Sequence, residues 1–165
     1  KLGGGIAVLY IGGHTEIEMK ERKDRATDAL HSTRAAAESG VIPGGGTVFV
    51  RAIKALGKVK AKGDAAFGVK VVAAALEAPL RTIAENAGFD PGDVLIEVSE
   101  LEGSKGFNAL TGEYSDLAKD GVIDPTDVAL TALHNAVSIA GLNLTTDALI
   151  TDVDDHDEPV TNAVT

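Results

Sequence analysis

The sequence contains no cysteine and no tryptophan, and it has only one methionine, two tyrosines and four phenylalanines. Without cysteine there is no disulfide framework, no thiol nucleophile and no zinc–thiolate site, and the composition fits a reducing compartment. Basic residues are also in short supply, with 15 Lys and Arg against 25 Asp and Glu, for a formal net charge of -10. A surface for nucleic acid or anionic lipid needs clustered Lys and Arg, so neither is expected as a partner. No continuous apolar run reaches the roughly 20 residues of a bilayer-spanning helix. The common catalytic signatures are missing as well: there is no GxGxxG, no P-loop ending in Gly-Lys-Ser/Thr, no GxSxG and no HExxH. The four histidines, His14, His31, His134 and His156, are scattered without a paired ligand spacing, so no metal site is inferred.

What is present is enough for one ordinary domain: 165 residues, 44% of them hydrophobic. That is too apolar for a wholly disordered chain. The chain opens Lys1-Leu2-Gly3-Gly4-Gly5, with no initiator Met and no signal-peptide pattern, and from this a fragment or processed product is expected. Ile6 to Ile11 is a partly β-branched apolar run between glycine pairs and predicts a short buried strand. Thr15-Glu16-Ile17-Glu18 is a capping-box pattern, and the Gly- and Pro-free stretch from Glu16 to about Ser39 predicts one long helix ended by Gly40.

After the loop Pro43-Gly44-Gly45-Gly46, residues Thr47 to Leu56 are read as a helix, although Val48, Phe49 and Val50 favour a strand. Gly57 to Gly63 is a basic loop. Phe67 to Ala87 predicts a long helix that Pro79 kinks or breaks into two. Pro91-Gly92-Asp93 starts a short helix, Val94 to Glu100. Gly103 to Gly121 is polar and glycine-spaced, with an apolar-aromatic piece around Phe107. Asp124 at the N-cap and Pro125 at the first position predict a helix ending at Gly141. Ala148 to Val153 reads as a last strand, followed by a polar, acidic tail. The fold expected is mainly α with a few short strands. These are too few and too separated to close a sheet among themselves, so the first and last strands should need partners from elsewhere.

Three features have chemical potential. The PGGGT loop ahead of a helix offers backbone N–H groups to an anion or nucleotide, and serves equally as a tight interhelical turn. Asp28, among Ala26, Ala29 and Leu30, can position a water or metal for hydrolysis, or can be a surface carboxylate supported by Arg25 or His31. Asp124 can cap its helix or accept ribose hydroxyls. Composition and spacing alone name no function.

Seven strings go further: KLGGGIAVLYIGG, TEIEMKERKDRATDALHSTRAA, ESGVIPGGGT, LEAPLRTIAENAG, GFNALTGEY, GVIDPTDVALTALHNAVSIAGL and LTTDALITD. In this order, over about residues 1 to 153, they closely resemble the C-terminal portion of group I (GroEL-type) chaperonins. The resemblance implies a double seven-membered ring that encloses unfolded polypeptide, with a co-chaperonin lid, and that hydrolyses ATP with Mg. Residues 1–39 would be the last piece of the intermediate (hinge) domain. Residues 40–165 would be the C-terminal half of the equatorial ATP-binding domain, a helical bundle, with an acidic tail.

The resemblance also implies residue roles. Asp28, in ATDALH, matches the catalytic aspartate that swings onto the nucleotide and positions the attacking water. Gly45, in PGGGT, matches the loop glycine beside the ribose. Asn108, Ala109 and Leu110, in GFNALTGEY, match the segment touching the adenine, Asp124, in VIDPT, the aspartate that binds the ribose hydroxyls, and Val122 an apolar contact to the base. This chemistry is reasonable, since phosphoryl transfer to water needs positioning and charge management more than covalent help.

The departures from the family pattern are specific. The phosphate-binding glycine-threonine loop, the magnesium-binding aspartate and the apical client-binding domain have no counterpart in the sequence. An acidic tail stands in place of the usual Gly-Gly-Met ending, and Leu110 is bulkier than the small residue often found there. By itself the chain is therefore expected to bind ATP poorly and to turn none over. The alternative is a structural or interaction module that self-associates and has no nucleotide role. An independent nucleotide enzyme lacks a phosphate motif. Localisation is expected to be the bacterial cytoplasm, or an organellar matrix or stroma.

Overall fold

The structure, a computed structural model, describes residues 4–148 and residue 150. It is mainly helical with a few short strands, and it divides into two units, Lys1–Leu130 and Thr131–Thr165. The first helix, α1 (Glu16–Ser39), forms for local reasons. Thr15 caps it, its Oγ1 accepting from Glu18 N at 3.2 Å, while Glu18 Oε2 accepts from His14 N at 2.7 Å. Ion pairs Glu18–Arg22 at 2.6 Å and Glu21–Arg25 at 2.5 Å follow at the i, i+4 spacing, with the acid on the N-terminal side, the favourable orientation. Gly40 ends the helix at φ 77°. None of the residues of α1 is buried.

Residues 6–11 do not form the expected strand: no ladder partner reaches them among the described residues, and Ile6, Val8, Leu9 and Tyr10 are exposed. The run is apolar and partly β-branched, but a strand exists only through pairing, which local sequence cannot supply.

The core lies where α2 (Thr47–Leu56), α3 (Asp64–Asn86) and α4 (Pro91–Glu100) meet the hairpin β2 (Lys105–Asn108)–β3 (Glu113–Asp116). Buried Leu76, Leu80 and Ala84 recur every four residues on α3, and Val94 and Val98 do the same on α4. With Val50 and Phe107, most of these close one apolar cluster. Phe107 packs edge-on to Phe89, centroids 5.1 Å apart, and against Tyr114 at 5.6 Å.

α3 begins earlier than expected, at Asp64, and runs unbroken through Pro79. Proline removes one internal hydrogen bond, but the buried residues on either side of it, Leu76 and Leu80, hold the helix in register. α4 starts at Pro91, with Asp90 as its cap: Asp90 Oδ1 accepts from Gly92 N at 2.8 Å and Asp93 N at 3.0 Å.

The described strands pair in two small two-stranded sheets, neither of which includes the first or the last expected strand. β2 pairs antiparallel with β3, Phe107 opposite Tyr114. β1 (Val41–Pro43) pairs antiparallel with β4 (Ile123–Pro125), Ile42 opposite Asp124. Asp124 is thus a strand residue and not the N-cap of the following helix, α5 (Thr126–Thr145). The first turn of α5 is instead met by the end of α1, through Gly40 O to Thr126 N at 3.1 Å and Ser39 Oγ to Asp127 N at 3.1 Å. Gly141 does not end α5, which continues to Thr145. A single helical glycine costs only about 1 kcal/mol, which the flanking helix formers absorb. α5 is long and apolar enough to cross a membrane by length and composition, although Asp127, His134, Asn135 and Asn143 interrupt it. The last expected strand, 148–153, falls mostly outside the described residues, and the acidic tail wholly so.

Candidate functional site: a glycine loop between two small sheets

The PGGGT loop joins β1 to α2, and its neighbours come from three distant parts of the chain. Gly44 N donates to Val122 O at 3.0 Å, and Thr47 N returns to Gly44 O at 3.2 Å. A Cβ on Gly44 would lie 3.2 Å from Val122 O and 3.3 Å from Asp124 Oδ2, so the Asp124 carboxylate hangs directly over this glycine. Gly45, at φ 63°, has Phe107 O 3.4 Å from where its Cβ would stand. Val122 and Asp124 therefore flank the loop on one side, and the β2 strand carrying Phe107 and Asn108 flanks it on the other. The N–H groups of Gly45 and Gly46 have no hydrogen-bond partner among the described residues, and they open the N-terminal end of α2.

Two glycines outside the sequence-based selection make this convergence possible. Gly46, at φ 75°, is the N-cap of α2, and a Cβ there would sit 2.7 Å from Leu80 N and 3.0 Å from Leu80 Cα. The loop is pressed onto the backbone of α3 just after Pro79. At Gly106 a Cβ would overlap Thr47 Oγ1 and stand 2.6 Å from Leu117 Cδ1, so β2 lies flat against the start of α2. The run of three glycines was visible in the sequence, but which of them the packing requires was not. Gly106 had no local signal beyond being a glycine beside an aromatic residue.

The adenine-segment residues divide by environment. Asn108 is 8% exposed, and its Oδ1 accepts from Leu110 N at 3.1 Å while its carbonyl oxygen accepts from Gly112 N at 2.8 Å. It builds the turn between β2 and β3 and presents its amide NH₂ as the remaining side-chain donor. Ala109 packs on the core cluster. Leu110, at the hairpin tip, is 94% exposed.

Asp28 stands on the exposed outer part of α1. Arg25 pairs with Glu21, not with Asp28. One turn further along the same helix face, Ser32 and Ala36 join Thr33, Val41, Ile123, Asp124 and Pro125 around a shallow cleft of about 160 Å³. Asp28 and Asp124 thus belong to neighbouring levels of one surface, Asp124 in the cleft wall and Asp28 a helical turn beyond its edge.

Two titratable groups on β3 are shifted from their ordinary values. The Ser104 hydroxyl, 2.5 Å from Asp116 Oδ1, holds that carboxyl below the usual range, with burial opposing and Lys119 assisting. Burial pushes the Tyr114 phenol up, and the carboxylates of Glu97 and Asp93 add to the rise.

The sequence matches the TCP-1/cpn60 chaperonin family over residues 1–154. The chain belongs to that family, whose work is assisted protein folding, and the mainly helical architecture agrees with a chaperonin helical domain.

Proposed function

We propose that the chain is part of an ATP-dependent chaperonin of the group I, GroEL-type, and that it supplies the adenine and ribose side of the nucleotide site together with a water-positioning aspartate. In this reading residues 1–39 belong to a hinge domain and residues 40–165 to half of an equatorial ATP-binding domain. Asp124 accepts the ribose hydroxyls beside Gly45, Asn108, Ala109 and Leu110 meet the adenine with Val122 as an apolar contact, and Asp28 orients the attacking water. The phosphate and Mg ligands, and the surface that takes unfolded clients, are assigned to residues outside this chain. The working assembly is a homo-oligomeric double ring that accepts a co-chaperonin lid, and its setting is the bacterial cytoplasm or an organellar matrix.

The observation supporting this is the seating of the glycine loop between Asp124 and the Phe107–Asn108 strand. Segments some 60 to 80 residues apart in sequence meet where unpaired amides and a carboxylate suit a polar, hydroxyl-bearing ligand. The test is an NMR titration of the chain with ATP at millimolar concentration, which detects weak binding. Shifts should gather on the amides of Gly44–Gly46, Asn108–Leu110 and Asp124, and Asp124→Ala should abolish them. An absence of shifts, or shifts scattered elsewhere, would refute the reading.

A second reading, a self-associating interaction module without nucleotide function, draws on α5. Val128, Leu130, Val137, Ile139, Leu142 and Leu144 are all exposed on it. So much unpartnered apolar surface favours association.

A further inference from the structure

α1 is a 24-residue helix without a single buried residue. Its Glu–Arg pairs are internal to it and orient it against nothing. Ala35, Ala36 and Ser39, in its last turns, are half-buried, so its direction is set at that end. The joint that follows is permissive: Gly40 sits at φ 77°, ψ -177°, a region open essentially to glycine alone, with nothing within 4 Å of where a Cβ would stand.

We propose that Ser39 is a positioning residue for Asp28, its hydroxyl latching the end of α1 to the first turn of α5. Ser39 Oγ donates to Ala35 O at 2.8 Å and accepts from Asp127 N at 3.1 Å. A hydroxyl has one proton and two lone pairs, so both bonds stand together. The Asp127 N–H is one of the four donors that a helix start leaves unmet, and the partner it finds is a side chain from a different helix. Beside it, Gly40 O accepts from Thr126 N at 3.1 Å. The backbone bond holds the chain's path, while the Ser39 bond adds the second point that fixes rotation about it. That rotation decides how far Asp28 stands from Asp124, across the cleft that α1 and β4 line together. The role given to Asp28 rests on the function proposed above, whereas the latch itself does not.

The absence of cysteine allows clean labelling. With spin labels on cysteines introduced at the exposed positions Lys20, on α1, and Glu100, at the end of α4, dipolar EPR reads the direction of α1 without nucleotide. Ser39→Thr keeps the hydroxyl, and Ser39→Val has the shape of Thr without it, so the pair differs in the hydroxyl alone: its bond to Asp127 N joins the two helices, and its bond to Ala35 O lies within α1. The Thr variant should reproduce the parent distance distribution. The Val variant should show about a fivefold rise in a second, unlatched population, the effect of losing the one side-chain hydrogen bond between α1 and α5. Identical distributions for Thr and Val, whether both match the parent or both broaden, would overturn the proposal. Because nucleotide is absent, a failed latch and a failed nucleotide site are distinguished: the second is read only by the ATP titration.

Discussion

Gly46 and Gly88 have nearly the same backbone φ, 75° and 82°, but opposite surroundings. Gly88 follows α3, with its N–H on Glu85 O and Phe89 N on Ala84 O, both at 3.0 Å, a left-handed helix ending with open space around its absent Cβ. Gly46 meets the backbone of Leu80 at 2.7 Å from its absent Cβ, a contact no rotamer change can relieve. Alanine at Gly88 therefore suffers only the left-handed conformation, about 1–2 kcal/mol. Alanine at Gly46 suffers that and a forced separation of α2 from α3, worth about 1–3 kcal/mol more. The total for Gly46→Ala, about 2–5 kcal/mol, is a sizeable share of a domain stability of about 5–15 kcal/mol. Urea unfolding followed by far-UV circular dichroism compares the two variants. With a denaturant slope of about 2 kcal/mol per molar, the Gly46→Ala midpoint should fall about 1 M below that of Gly88→Ala. Equal midpoints would show that the loop does not bear on α3 and would refute the close packing of Gly46 on Leu80.

Two further outcomes are expected. The carboxyl of Asp116 should titrate below its ordinary value of 3.8, and Ser104→Ala should raise its pKa back toward it in an NMR pH series. Because the folded-state pKa is depressed, any stability this group contributes is present above the unfolded-state value and is lost as pH falls through the folded one. An unshifted Asp116, or one indifferent to Ser104→Ala, contradicts the hydrogen bond. In sedimentation velocity at tens of micromolar, the exposed apolar residues of α5 should drive association, and a monodisperse monomer would count against them as an adhesive surface.

What could be read from sequence was whatever neighbouring residues decide among themselves. The Thr15–Glu18 cap, the Gly40 stop and the Pro91 start locate their helices because each acts within one turn. Ile6–Ile11 misled because an apolar run states a preference but not a partner. Asp124-Pro125 resembles a helix start, but Ile42, more than eighty residues earlier, claims Asp124 for a ladder. The β2–β3 hairpin went unrecognised because its strands have four residues each and its turn is closed by the Asn108 side chain, without an Asn-Gly pair. The site was legible in the same uneven way. Family resemblance suggested Asp28, Gly45, Asn108–Leu110 and Asp124 as candidates, whereas Gly46 and Gly106, which let the glycine loop lie against α3 and β2 against α2, are defined only by what presses against them.

The bareness of α1 has a mechanical consequence. A helix fastened at one end amplifies motion, and the amplification is set by residue count. Asp28 lies twelve residues before Gly40, about 18 Å along the axis, and the start of α1 lies about 36 Å away. A turn of about 10° at the glycine would carry Asp28 roughly 3 Å, the length of a hydrogen bond, and the far end roughly 6 Å. The gearing is written into the spacing: one torsional adjustment at a single residue moves the Asp28 carboxylate by a hydrogen-bond length, while the tip of the same rod reports that change at twice the size.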